Sequence, residues 1–361
     1  MARVPMGEVQ PSEPSPEASE IPGELAERIR RRGGRATIYD IAELAGVSPS
    51  TVSRALSKPG RISAKTEARI RDAASRLSFR INPMARALPT GRSQTLALLV
   101  ADITNPVVFG IVRGAEHEAA RAGYTLVVAE SQESGETEAE TTSRLMPSVD
   151  GIILASTRLS DDAIRLTAAR TPVVLINRAV SEVDSVLPDV EKGVAELLNH
   201  LHALGHRSIV YLAGPQISWV SGRRWESLLD SSEALGMAIV EIGPTTPTID
   251  GGRGALRRVL ASKSTAAVAF NDLIAIGLMQ AAARQGVEIP GELSVAGFDN
   301  VFGSELMCPS VTTVGSELEQ AGRRAVRVLL ARLGGDDVED ASELLDTELI
   351  VRESTGPPRD V

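Results

Sequence analysis

Two sets of polar residues in this chain have types and spacing that can do chemistry, and in both cases the chemistry is binding. In the longer, C-terminal part, short apolar runs end repeatedly in hydrogen-bonding side chains. Asp102 and Asn105 follow TLALLV, Asn177 and Arg178 follow VVLI, Asn271 and Asp272 close AAVAF, and Asp299 and Asn300 close ELSVAGF. With the guanidinium of Arg224 they form an inventory of donors and acceptors suited to a hydroxyl-rich small molecule. Any one Asp or Asn reads equally well as a helix cap; the recurrence at four run ends is what points to a shared site. The second set is Ser48, Pro49, Ser50, Thr51, Ser53 and Arg54, hydroxyls and one cation in a short segment, which suits contacts to phosphates and base edges.

Catalytic and metal chemistry find no such support. The sequence contains no HExxH, no Walker A, no GxSxG and no cysteine-histidine spacing for zinc. GGRG at 251–254 follows PTTPTID rather than a strand, so it is not a dinucleotide fingerprint. His117, His200, His202 and His206 do not cluster with a nucleophile and read as structural or subunit-contact residues. The single Cys308 excludes an intrachain disulfide and reads as a small buried hydrophobe. No enzyme, cofactor or metal is therefore expected.

The elements that position these residues differ between the two parts of the chain. With 361 residues, 43% hydrophobic and 24% charged, it has the make-up of a soluble protein of two or three domains. Its longest apolar runs, such as TLALLV and GIILA, fall far short of a membrane span. The Pro/Glu/Ser-rich start lacks an apolar leader, which places the protein in the cytoplasm. The net charge of -9 is unevenly spread: residues 24–92 carry 15 Arg or Lys against 6 Asp or Glu. A basic head on an acidic body predicts that only the head meets a polyanion.

Within that head, TIYDIAELAGVSPSTVSRALSKPGRISAKTEARIRDAASRLSF reads as three short helices. Thr37 caps the first, with Asp40 three residues on, and Ile38, Ile41, Leu44 and Ala45 form its apolar face. Gly46 ends it, Ser48 caps the next helix, and Pro49 takes the first helical position, where a missing N–H costs nothing. Val52, Ala55 and Leu56 face inward. A third helix after Ser63 keeps Ile70, Ala73, Ala74 and Leu77 together. Two short helices around a glycine turn make a helix-turn-helix, whose second helix presents its first residues to base edges. Thr51, Ser53 and Lys65 suit phosphates, as do the helix starts at Thr37 and Ser48; Ser50 and Arg54 suit base readout.

INPMARALPTG follows, with Asn82 and Pro83 to start a helix and Pro89 and Gly91 to stop it. It is too short to hold alone, since isolated helices need roughly 12 residues. From Thr95 the pattern alternates between apolar strands and amphipathic helices, which predicts parallel sheets covered on both faces. Seven strands are legible: 95–100, 124–130, 151–155, 172–177, 208–214, 266–271 and 292–299. The body is near the size limit of one core, so two α/β subdomains are expected, the first ending near Asp189.

Taken in order, these residues resemble the LacI/GalR family of bacterial transcription regulators over about 37–352. TIYDIAELAGVSPSTVSRALS is similar to its DNA-binding signature, INPMARALPTG to its hinge helix and ADITNPVV to its first-strand motif. VDGIIL, VVLINR, LHALGHRSIVYLAGP, FNDLIAIG, LSVAGFDN and PSVTTV follow in family order. The resemblance implies an all-α three-helix helix-turn-helix head with a hinge helix, joined to an α/β periplasmic-binding-protein-like body of two Rossmann-like subdomains. The division would be a disordered extension over 1–36, a DNA-binding domain over 37–80, a hinge over 81–92 and an effector and dimerisation domain over 93–361. In that last domain, 93–189 plus 313–345 would make subdomain 1, and 190–312 plus the C-terminal strand region subdomain 2. Three chain crossings would link them, the last after about Thr312, returning the final strand and helix to the first.

By the same resemblance, Pro49, Ser50 and Arg54 would lie near base edges in the major groove. Asn82, Ala85 and Leu88 would enter the minor groove, with Leu88 wedged into the central base step. Asn105, Asn177, Arg178, Arg224, Asn271 and Asp299 match effector-contact positions, to which strand-end logic adds Asp102. Val107 and Val108 replace the family's usual aromatic pair, Asn177 a frequent Asp and Ser227 a Gly. Trp219 is the candidate for stacking in place of the aromatic pair. The short tail after Ile350 lacks heptads and disfavours a tetramer.

The implied partners are near-palindromic double-stranded operator DNA, a second copy in a homodimer, and a small polar effector, most simply a saccharide, with no membrane partner. A nucleobase or sugar-phosphate corepressor is the alternative, and an enzyme on the same scaffold a remoter one. Location would be cytoplasmic, at the nucleoid. Leu88→Ala should weaken operator binding in a fluorescence-anisotropy titration while leaving effector affinity unchanged; equal operator affinity would remove the wedge role.

Overall fold

The computed structural model describes residues 21–57, 62–79, 92–336 and 344–359. The chain divides into two compact units, Met1–Arg86 and Ala87–Val361. The hinge residues Asn82, Ala85 and Leu88 lie outside the described residues, as do residues 1–20.

The first unit contains helices α1 (Gly23–Arg31), α2 (Ile38–Ala45), α3 (Pro49–Ser57) and α4 (Ala64–Arg76). Thr37 and Asp40 form the expected capping box, and Gly46 ends α2 in the left-handed region at φ 62°. The hydroxyl of Ser48 accepts from the Thr51 N–H at 3.3 Å, and that of Ser63 from the Thr66 N–H at 3.3 Å. Ile41, Ala42 and Ala45 of α2 pack on Val52 and Ala55 of α3 and on Ile70 and Ala73 of α4.

The expectation of disorder over 1–36 needs correcting for α1. Its Leu25 and Ile29 stand four residues apart on one face and join this same core, Leu25 with no exposed surface. Asp40, which is buried, receives two hydrogen bonds from Arg32, at 2.7 and 2.8 Å, and a longer one from Arg28 at 3.5 Å. Burial opposes the charge on Asp40, but the bonds from Arg32 and Thr37 outweigh it and hold the carboxyl below its ordinary range. Among the described residues the head has four helices.

Among its described residues the second unit holds two sheets. The first is parallel, in the order β2 (Thr125–Glu130), β1 (Thr95–Val100), β3 (Gly151–Ala155), β4 (Val173–Ile176), β5 (Asp184–Val186). Leu96, Leu98 and Val100 point to one face, packed by α5 (Val107–Arg121) and α13 (Leu318–Gly334). Ala97 and Leu99 point to the other, beside α6 (Gly135–Leu145) and α7 (Asp161–Ala168).

In the second sheet the order is β11 (Thr347–Ile350), β10 (Thr312–Ser316), β9 (Ser294–Phe298), β8 (Ala266–Ala269), β6 (Ser208–Leu212), β7 (Ala238–Ile242), with only β11 antiparallel. Its helices are α8 (Val190–Ala203), α9 (Trp219–Ala234), α10 (Ile249–Ser262), α11 (Asp272–Arg284) and the short α12 (Phe302–Leu306). The hydrophobic pattern does not mark β5, β7, β10 and β11, which are short, sit at edges or carry polar residues; a strand after Thr312 and a C-terminal one are implied by the resemblance alone.

One crossing also differs from expectation. The strand after Thr312 does not return to the first sheet; it stays in the second, paired with β9 and β11, while α13 packs on the first. Its partner α5 approaches so closely that backbones touch. A Cβ on Gly322 would lie 2.0 Å from the Ile111 carbonyl oxygen, and one on Gly114 1.9 Å from that of Glu319. His206 is fully buried, bonded to Thr265 at 2.8 Å, Ser294 at 3.1 Å and the Gly356 carbonyl at 3.0 Å, a structural role as expected. Cys308 is exposed, contrary to the buried reading, because it lies in the bend after α12 and not in a strand.

Among the described residues no helix is long and apolar enough to cross a membrane. Gly322→Ala should destabilise the protein by about 1–3 kcal/mol in urea unfolding, since the added carbon meets backbone that cannot yield. Gly254→Ala, with open space around it, should be neutral or mildly stabilising.

Candidate nucleic-acid interface and ligand cleft

On α3 the inward residues are Val52 and Ala55, so Ser50, Ser53 and Arg54 are left exposed on the opposite side. The Ser48 hydroxyl lies 2.9 Å from that of Ser50 and 2.8 Å from that of Thr51, binding the start of the helix into a hydroxyl cluster. Arg54 donates through Nε to the Ser50 carbonyl at 3.3 Å, which draws its guanidinium back toward that cluster. Pro49 is half-buried and Lys65 exposed in the first turn of α4. Thr37 donates its hydroxyl to Asp40 at 2.8 Å, so its contribution to a phosphate site lies in the helix start it caps. Tyr39, 68% exposed in the first turn of α2, was not singled out from sequence. Its signal was an aromatic on the outward side of an amphipathic helix in a basic head.

In the second unit a cleft partly open to solvent lies between the carboxyl ends of the two sheets. Asp102, Asn105, Asn177, Arg224 and Asp299 all line it. Around it the backbone is unusually strained: Gln132, Glu133, Ser156, Asn177, Asp299 and Asn300 are non-glycine residues at positive φ, with values from 49° to 100°. Such conformations persist only where surrounding structure enforces them, and they gather at functional sites.

Arg224 is the central side chain on the second-sheet wall. Its guanidinium lies 5.1 Å from the Phe270 ring and 4.3 Å from the Phe298 ring, donates to Asp299 at 2.8 Å and also bonds the Phe270 carbonyl. Opposite it stands Arg158, which the sequence reading did not select. It donates through Nε to Glu133 at 2.6 Å and through Nη1 to the Ser156 carbonyl at 2.8 Å, and its side chain is almost wholly buried. The signal was present: STR follows β3 just as other polar groups follow their strands. Asp102 accepts from Thr104 at 2.8 and 2.6 Å, and Asn105 from the Val107 N–H at 3.2 Å.

Three selected residues fall outside the cleft lining. Arg178 turns to Asp161, 2.6 Å away at the start of α7. Trp219 packs against the second-sheet core, with Arg223 6.0 Å from its ring. Asn271 caps α11, accepting from the Ile274 N–H at 3.0 Å and donating to the Pro247 carbonyl at 3.2 Å, the cap alternative that its sequence position had left open.

Residues 37–82 match the family model for bacterial regulatory proteins of the lacI family, and 198–355 that for a periplasmic binding protein-like domain. The HTH-type transcriptional repressor CytR of Escherichia coli (strain K12) is 30% identical over 336 residues, 91% of this chain and 98% of that protein. The chain belongs to the LacI family. Its structure is similar to that of a lac repressor dimer bound to operator and the anti-inducer ONPF, with a TM-score of 0.81 at 26% identity over 89% of this chain and 99% of that one. A LacI-family regulator from Enterococcus faecium with bound ribose matches at a TM-score of 0.63 and 27% identity, covering 73% of this chain and 100% of that one. This LacI-family protein is thus a DNA-binding transcriptional regulator under the control of a small effector, and its relatives are regulators rather than enzymes.

Beneath the cleft of this LacI-family regulator, Asp272 ties the Asp299 loop to α11 and β10. Its carboxyl accepts from Ser304 at 2.6 Å, Thr313 at 2.7 Å and the Val301 N–H at 3.0 Å. Gly297 makes room for it, since a Cβ there would lie 2.2 Å from the Asp272 carboxyl oxygen. Burial, and then the charge of Asp299, push the Asp272 pKa up to about 7 against the pull of those hydrogen bonds. The folded state then holds a proton that the unfolded state releases, so stability falls as pH rises from the ordinary aspartate range to about 7. His200 and His206, lowered by burial, act oppositely as pH falls below their unfolded range. Urea unfolding of Asp272→Asn between pH 5 and 8 should show a flatter profile than the parent, and an unchanged profile would place the titration elsewhere.

Proposed function

We propose that the effector is an uncharged saccharide held in the cleft, and that its binding releases operator DNA. The observation carrying this reading is that both cleft arginines are already neutralised, Arg158 by Glu133 and Arg224 by Asp299, while Asp102 adds a further carboxylate. A phosphate would meet no uncompensated cation there and would face net negative charge. Hydroxyl groups, by contrast, find paired donors and acceptors, and the pairs themselves are held rigid for them. Ribose in the Enterococcus faecium regulator agrees with this class of ligand.

The regulator acts as a homodimer on a near-palindromic operator, like the lac repressor dimer it resembles. The α3 helix enters the major groove, with Pro49, Ser50 and Arg54 at base edges. Thr51, Ser53, Lys65 and the helix starts at Thr37 and Ser48 hold phosphates, and Asn82, Ala85 and Leu88 of the hinge enter the minor groove. Effector bound between the sheets favours one angle between them, which moves the hinge anchors and shifts the hinge between ordered and unfolded states. The coupling is reciprocal, so operator binding weakens effector affinity by the same factor. The cleft binds without turnover, in the cytoplasm at the nucleoid.

In an anisotropy titration of protein on operator duplex, at least one neutral pentose, hexose or disaccharide should release the DNA, and the corresponding sugar phosphates should not. Arg224→Leu should abolish the response while the effector-free protein still binds operator. Response only to a phosphorylated sugar or a nucleobase would overturn the saccharide reading.

A further inference from the structure

The arginines ahead of the helix-turn-helix are more numerous than the head's own packing requires. Between Arg28 and Arg35 the chain has five arginines and no acid. Two are accounted for: Arg28 and Arg32 close on Asp40, and Arg32 also donates to the Arg28 carbonyl at the end of α1. Arg30 and Arg31 are 76% and 79% exposed and share a single carboxylate, Glu27, at 2.7 and 3.3 Å. Arg35 is also exposed.

Their place in the fold gives this surplus a direction. Arg32 and Thr37 bond the same Asp40 carboxylate, so the last turn of α1 and the connector 32–36 are pinned beside the start of α2. The start of α2 carries the positive end of its helix dipole, although its capping box already engages the Thr37 and Asp40 amides. The exposed ring of Tyr39 stands in the same first turn. In a helix-turn-helix the first helix crosses the DNA backbone while the second lies in the groove. The surplus cations are therefore gathered at the end of the head that faces phosphates.

We propose that Arg30, Arg31 and Arg35 bind backbone phosphates flanking each half-site, extending the footprint beyond the bases that α3 reads. This rests on α2 and α3 docking as set out above. The contribution is sequence-independent: it raises affinity for any duplex, steepens salt dependence, and requires flanking base pairs.

The test compares the full-length protein with the triple variant Arg30→Gln, Arg31→Gln, Arg35→Gln, and with Glu27→Gln, on operator and scrambled duplexes over a salt series. Each lost phosphate contact removes about 0.9 from the slope of log affinity against log salt, so the triple variant should lose about 2 to 3. Its affinity should fall by the same factor on both duplexes. Glu27→Gln, which frees two arginines, should tighten both and steepen the slope, and this arm decides the matter if the triple variant melts early. Trimming flanking base pairs should weaken the parent and leave the triple variant unchanged. Unaltered slopes in both variants would overturn the proposal, as would a loss confined to the operator. If α3 itself were misassigned, operator preference would survive Arg54→Ala, which separates that failure from this one.

Discussion

The geometry of the ligand cleft depends on one buried pair, Arg224 with Asp299. The guanidinium comes from the first turns of α9 and the carboxylate from the strained loop after β9, so the bond spans two separate elements of the second sheet. Two phenylalanine rings flank the cation and exclude water from it, which strengthens the attraction and raises the cost of breaking it. Asp272 lies below, holding the same loop through the Val301 amide and the Ser304 hydroxyl. Because the position of Asp299 is specified from both sides, the cleft wall is largely formed before a ligand arrives.

The opposite wall follows the same principle with different residues. Arg158 is bound to Glu133, and both lie at positions where β-strand ends turn sharply into helices. The two walls thus present charge in compensated pairs. Such pairs favour ligands that exchange hydrogen bonds over ligands that bring a charge of their own. Behind the first-sheet wall, backbone-to-backbone contact at Gly114 and Gly322 leaves no slack between α5 and α13. A regulator that transmits a change of angle needs rigid bodies on either side of the moving joint, and these contacts supply one.

In the head, a buried carboxylate again organises the structure. Asp40 was legible as a capping residue, and it does cap α2, but it also collects Arg28 of α1 and Arg32 just past its end, in a stretch that composition had assigned to a disordered arm. The Pro/Ser/Glu-rich beginning masked the short amphipathic stretch GELAERIRR. Its helical pattern spans only nine residues and becomes stable through Leu25 and Asp40.

What the sequence by itself determined is the set of features that arise from neighbours a few residues apart. These are the caps at Thr37 and Ser48, the start of a helix after Ser63, the apolar faces of α2 to α4, seven of the strands, and the placing of polar groups at strand ends. They are readable because helix and strand periods bring near neighbours together in a fixed way. Motif order gave the family as well. Only the tertiary structure decided which strand-end groups meet in the cleft. Asn271 turned to its own helix and Pro247, Arg178 turned to Asp161, and Arg158 was drawn in by a glutamate 25 residues away. A charged or amide side chain points toward whichever partner lowers its desolvation cost, and that partner is often distant in the chain. No local pattern carries that information, so the polar inventory could be read in advance while its arrangement could not.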